Sequence, residues 1–153
     1  AASLEDYLKN LDWKPDRILM AFHGLPREYL DKGDPYHCHC QKTARLVRNK
    51  LGFSPDFMNV VFQSRFGRAE WLQPYAQETV EDLPEKGVKN LLIISPGFAS
   101  DCVETLEELS IGLKETFEEK GGENFAVVPC LNASPTSLTM LESIVRNELK
   151  GWL

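Results

Sequence analysis

The chain has 153 residues, 42% hydrophobic and 26% charged, the make-up of one globular domain with a real core rather than a disordered, collagen-like or repeat-dominated chain. Its 17 Lys and Arg against 23 Asp and Glu give a net charge of −6, the wrong sign for holding nucleic acid by counterion release, so no nucleic-acid partner is expected. No apolar run approaches the roughly 18 residues of a spanning helix. Four unevenly spaced cysteines are too few for a disulfide framework and point to a reducing, cytoplasmic compartment.

The opening segment lacks the basic and apolar regions of a secretory leader, and Ala1 in place of Met suggests a piece of a longer polypeptide. Leu4, Tyr7, Leu8 and Leu11 recur at helical spacing, with Ser3 and Asp6 read as a capping box and Pro15 as the stop. Residues 1–15 are therefore expected to be an amphipathic helix and linker from a preceding domain, and 16–153 one α/β domain. Four continuous apolar runs follow, at residues 17–22, 57–62, 88–95 and 124–129, as strands buried on both faces would be. Helical stripes separate and follow them: Ala44/Val47/Leu51, Ala76/Val80/Leu83, Leu106/Leu109/Leu113/Phe117 and Leu138/Leu141/Val145/Leu149. Gly52, Gly87 and Gly121–Gly122 fall at expected helix ends, Pro74 and Pro135 at expected first turns. The alternation predicts a three-layer, Rossmann-like α/β domain with a four-stranded parallel sheet.

In such sheets ligands sit beyond the carboxyl ends of the strands, where this chain concentrates its unusual residues. His23 ends the first strand and is read either as a metal ligand or base, or as a histidine satisfied by a carbonyl. Asp101, Glu104 and Glu108, spaced i, i+3, i+7, would form an acidic rail on one helix face. On spacing alone the favoured readings are a capping box of Asp101 with Glu104 or an ordinary solvated helix face. Carboxylate with imidazole suits iron, manganese or zinc. Cys38 and Cys40 in the run Tyr36-His37-Cys38-His39-Cys40 are read as reduced thiols at a helix start, with a bound metal or iron–sulfur cluster as the alternative. Trp71 and Phe98 could wall a planar ligand or simply pack.

Taken together the loop blocks have a family likeness. Phe22-His23-Gly24-Leu25-Pro26, Phe62-Gln63-Ser64-Arg65-Phe66-Gly67 with Trp71-Leu72, Pro96 through Glu108, and Leu131-Asn132-Ala133-Ser134-Pro135 resemble, in order and spacing, the carboxyl-terminal half of a bacterial-type ferrochelatase. The resemblance implies a chelatase-like fold and insertion of ferrous iron into a porphyrin, protoporphyrin IX first among them, to form haem. His23 matches the family's active-site histidine and Glu104 its opposing metal-site glutamate, with Asp101 and Glu108 matching acids proposed to pass metal or protons. Ser64, Arg65, Trp71 and Phe98 match porphyrin-pocket positions. It also implies an amino-terminal ferrochelatase domain as partner, without which this half would be weakly active or inactive. Ferrous iron is then the substrate metal and no tightly bound cofactor is expected; an internal two-iron, two-sulfur cluster on Cys38 and Cys40 is the less favoured option. The alternatives are a related tetrapyrrole chelatase inserting cobalt, or an iron- or haem-binding module without turnover.

Overall fold

A computed structural model describes residues 1–152. The elements run α1 (Ala2–Asn10), β1 (Arg17–His23), α2 (Arg27–Asp31), α3 (Tyr36–Leu51), β2 (Met58–Gln63), α4 (Ala76–Asp82), β3 (Asn90–Ile94), a π-helix (Glu104–Leu113) continuing into α5 (Lys114–Glu119), β4 (Asn124–Val127) and α6 (Pro135–Glu148). All three strand pairings are parallel, in the order β2-β1-β3-β4, so the direction of winding reverses between the central strands β1 and β3. The four expected strands and the α/β class are present.

Period-2 alternation splits the continuous apolar strands between two cores. Ile18, Met20 and Phe22 of β1 join Leu4, Ala44 and Met58 on one face. Leu19 and Ala21 join Val80, Leu109, Leu113 and Phe117 on the other. Each fully buried aliphatic or aromatic side chain stabilises the fold by about 1.5–3 kcal/mol, which is why neither face carries a charge. The sheet is thus a true middle layer, with α1 and α3 on one side and α4, the π-helix and α5 on the other. Gly122 closes α5 because any Cβ there would overlap the Phe117 ring, with contacts at 2.2 Å.

Several local expectations need correction. α1 starts at Ala2 with no side-chain cap, so Ser3 and Asp6 form no capping box; Asp6 pairs instead with Lys9 at 3.2 Å. Pro74 lies before the Tyr75 N-cap of α4 rather than in its first turn. Pro135 is in the first turn of α6, behind a Ser134 cap that accepts from the Ser137 N–H. The expected third stripe holds at Leu109, Leu113 and Phe117 and fails at Leu106. Because its helix is π rather than α, Thr105, Leu109, Leu113 and Phe117 face inward while Leu106 is exposed. α6 forms as expected but, past a buried Ser137, it stands clear of the sheet, leaving Leu138, Leu141, Ile144 and Val145 exposed.

Candidate functional site

His23 is placed by its own strand and by two neighbours. It is the last residue of β1, in register with Gln63 at the end of β2, and its carbonyl accepts a 2.8 Å hydrogen bond from the Tyr36 hydroxyl. The next residue must be glycine: a Cβ at Gly24 would lie 2.8 Å from the Gln63 carbonyl and 3.0 Å from the Trp71 ring. The His23 Nδ1 sits 2.7 Å from the Gly24 carbonyl, which can only accept, so Nδ1 carries the proton and donates. In the neutral imidazole Nε2 is then left with its lone pair, the form needed to take a proton or bind a metal.

Trp71 reaches this corner by a device invisible to helix and strand patterning. The segment after Gly24 pairs antiparallel with residues 70–72, through Arg27 N–H to Glu70 O at 2.8 Å and Leu72 N–H to Leu25 O at 2.9 Å. This sets the indole 6.5 Å from the imidazole, centroid to centroid. The Trp71 Nε1 is buried with no hydrogen-bond partner.

Across from His23, Glu104 opens the π-helix. Its carboxyl is held below the ordinary range, first by the Cys102 thiol and its own backbone N–H as donors, and further by the His23 imidazole. Asp101 does not share that helix. Burial pushes its carboxyl up, but donation from the Asn132 amide (2.7 Å), the Cys130 N–H (3.1 Å) and thiol, and Thr105 (3.3 Å) outweighs it and holds the pKa low. Asn132 returns the favour, accepting from the Asp101 N–H at 2.9 Å, so this carboxylate joins the loop after β3 to the loop after β4. Glu108, four residues on from Glu104 in the same helix, accepts at one oxygen from Ser64 Oγ (2.6 Å) and Gln63 Nε2 (3.0 Å).

The rail is therefore three separate arrangements rather than one row. Glu104 lies within electrostatic reach of His23, with no hydrogen bond or ion pair between them among the described residues, while Asp101 and Glu108 hold loops and strand ends. Among the described residues no three His, Cys, Asp or Glu side chains gather as a metal cage.

The pocket residues divide as well. Ser64, Arg65 and Glu108 line a cleft of about 490 Å³ between α4 and the π-helix, where Arg65 pairs with Glu78 at 3.1 Å and lies over the Tyr75 ring at 4.3 Å. Phe98 borders a second, more apolar cleft of about 420 Å³ with Cys130, Leu131 and Met140. Cys38 and Cys40 fall in the first turns of α3, one exposed and one buried, because residues two apart on a helix do not face each other. Burial pushes the Cys40 thiol up, away from the thiolate a cluster needs, although the Tyr36 hydroxyl partly offsets this. Burial also drives the Tyr36 phenol well above its ordinary pKa.

Residues 1–149 match the family model described as Ferrochelatase. The chain belongs to the ferrochelatase family. It is 55% identical over its whole length to a curated ferrochelatase of Rhizobium meliloti (strain 1021) and 50% identical to that of Mesorhizobium japonicum (strain LMG 29417 / CECT 9101 / MAFF 303099), covering 45% and 43% of those proteins. The chain thus spans about half the length of the ferrochelatases it matches. Among solved structures, a putative cobalamin (vitamin B12) biosynthesis CbiX protein from Marinobacter aquaeolei VT8 superposes with a TM-score of 0.56 at 14% identity, over 89% of this chain and 98% of that one. That likeness is one of fold.

Reasoning from sequence missed three residues that this family member uses to build the corner: Gln63, Tyr36 and Asn132. Gln63 carried a signal, being a buried amide directly after the apolar run Val60-Val61-Phe62 at the carboxyl end of β2. Tyr36 and Asn132 carried none, since their partners lie 13 and 31 residues away.

Proposed function

We propose that this chain is the metal-handling half of a ferrochelatase, inserting ferrous iron into a porphyrin, protoporphyrin IX foremost, to give haem. In that reaction two pyrrole N–H bonds break, four iron–nitrogen bonds form and two protons leave. A base close to the ring and a ligand set that releases the metal are both required. His23 supplies the base or ligand through Nε2, and Glu104 supplies the opposing carboxylate. An open pair suits transfer, whereas a closed cage would retain the ion. Trp71, Phe98, Ser64 and Arg65 border the porphyrin, and Asp101 and Glu108 steady the loops that carry the pair.

The observation that carries this reading is the His23 imidazole at the end of β1, its Nδ1 committed to the Gly24 carbonyl at 2.7 Å and its ring 6.5 Å from the Trp71 indole. The test is a porphyrin absorbance assay with Fe²⁺ or Zn²⁺ on the full-length polypeptide and its His23→Ala and Glu104→Ala variants. Both variants are expected to lose metallation; undiminished rates in both would overturn the assignment.

The rest of the polypeptide is the proposed partner. Neither of the two clefts is lined by His23 or Trp71, and the matched ferrochelatases have more than as much chain again outside the region matched, from which a wall for that corner could come. We assign the exposed apolar length of α6 to packing against that remainder, for seven large apolar side chains from Leu138 to Trp152 are too many for a free surface.

A further inference from the structure

Gln63 is 5% exposed at the carboxyl end of β2, and its amide is the only side chain on that strand to reach the π-helix through hydrogen bonds among the described residues. Its Nε2 donates to the Glu104 carbonyl at 3.1 Å and to the Glu108 carboxylate at 3.0 Å. The orientation of the amide is fixed by those partners: turned over, its oxygen would face two acceptors. The cost is visible on the other side, where Oε1 is buried with no donor.

A second donor acts at the same point. Ser64 holds the left-handed conformation, φ 63°, which a serine adopts only at a cost, and in it Oγ reaches the same Glu108 oxygen at 2.6 Å. Two consecutive residues therefore accept an unsatisfied buried oxygen and a strained backbone to grip one carboxylate and the first carbonyl of the π-helix. Gln63 is also paired in register with His23, and its carbonyl accepts from the Gly24 N–H at 2.8 Å. One residue thus touches the strand end that aims the imidazole and the helix start that aims Glu104.

We propose that Gln63 is the positioning residue of the metal pair, setting the separation of His23 and Glu104 by latching the π-helix to the end of β2. It does not touch the metal or the ring. The inference rests on the chelatase reading above, and it deepens that reading by naming what holds the two functional groups at a working distance. Outer partners of metal ligands commonly change metal affinity by about 10–100-fold when removed.

The test uses the full-length polypeptide, with Zn²⁺ and protoporphyrin as substrates and steady-state kinetics in each. Gln63→Met and Gln63→Glu keep the volume of the side chain; the first removes both donations and the second turns them into acceptor–acceptor contacts. The latch predicts that the metal KM rises about tenfold in Gln63→Met and further in Gln63→Glu, with the porphyrin KM within twofold of the parent. A space-filling role predicts unchanged constants in both, and that result overturns the proposal, as does an equal rise in both KM values. Should Gln63→Met fail to fold by circular dichroism, Gln63→Glu decides alone; failure of both to fold makes Gln63 a determinant of the fold and also overturns the proposal. Two controls measured alongside separate the failures: absence of metallation by the parent polypeptide removes the chelatase reading, full activity in both His23→Ala and Glu104→Ala removes the metal pair, and wild-type constants in the Gln63 variants alone remove only the latch.

Discussion

Two helical segments of this chain carry much the same apolar stripe in sequence and end in opposite environments. The segment from Glu104 to Glu119 buries Leu109, Leu113 and Phe117 completely or nearly so, in the core that also holds Leu91 and Ile93. α6 leaves Leu138, Leu141 and Val145 about half exposed, at 55%, 46% and 53%. An amphipathic stripe records that a helix needs a partner; it does not record whether the partner lies in the same chain segment. The first stripe is answered by the sheet. The second has no cover among the described residues, and the proposed remainder of a longer polypeptide is what would answer it.

Substitutions should separate the two stripes most sharply by their cost. Phe117→Ala empties the core under Gly122 and is expected to lower unfolding free energy by about 3–5 kcal/mol, read from the urea midpoint at unchanged slope. Leu141→Asp is expected to shift the 153-residue chain by no more than about 0.5 kcal/mol, since an exposed position pays little for a charge. In the full-length polypeptide the same change should cost about 2–4 kcal/mol, by placing an unpaired carboxylate in an interface. Equal costs in the two contexts would mean that α6 is uncovered in the whole protein and would break the comparison.

How much of this was legible without coordinates follows the same division. The four strands and their parallel order class were readable because burial on both faces writes a continuous apolar run into each of them, and His23 was readable because it ends such a run. On the Glu104–Leu113 helix Leu109 and Leu113 were readable as inward, but Leu106 was not readable as outward, because its spacing faces it inward only at α pitch. A π-helix has a wider turn, and so Thr105 went inward in place of Leu106 and Asp101 fell outside the helix altogether. Nor could sequence show that Glu108 would be gripped by Ser64 and Gln63, some 45 residues away, since hydrogen bonds between loops leave no periodic trace. The separation of Cys38 from Cys40 was available in principle: once α3 begins at Tyr36, two residues two apart must diverge.

A smaller effect is expected at the root of α6. Ser134→Ala removes the oxygen that accepts from the Ser137 N–H at 3.2 Å, and replacing such a cap costs about 1 kcal/mol. Because little of α6 packs, that loss should appear as helix fraying, a fall in far-UV ellipticity at 222 nm, with scarcely any change in the cooperative unfolding of the sheet.

The smallest effect ties the root to the site through pH. Asp101 clamps Asn132, two residues before the Ser134 cap, and its carboxyl is held low by that amide and by Cys130 and Thr105, against the opposing push of burial. With the folded pKa below the unfolded one, the unfolded chain takes up the proton first. The stabilisation is therefore complete above about pH 4, the ordinary range of an aspartate, and is lost as pH falls through the depressed folded value. Amide hydrogen exchange should report loosening at residues 130–134 in that acid window while β1 and β3 stay protected. Asp101→Asn, which cannot accept from so many donors at once, should show the same loosening at neutral pH. Protection at 130–134 that falls only together with β1 would place the α6 root inside the cooperative core, and the contrast between the two helices would then be one of exposure alone.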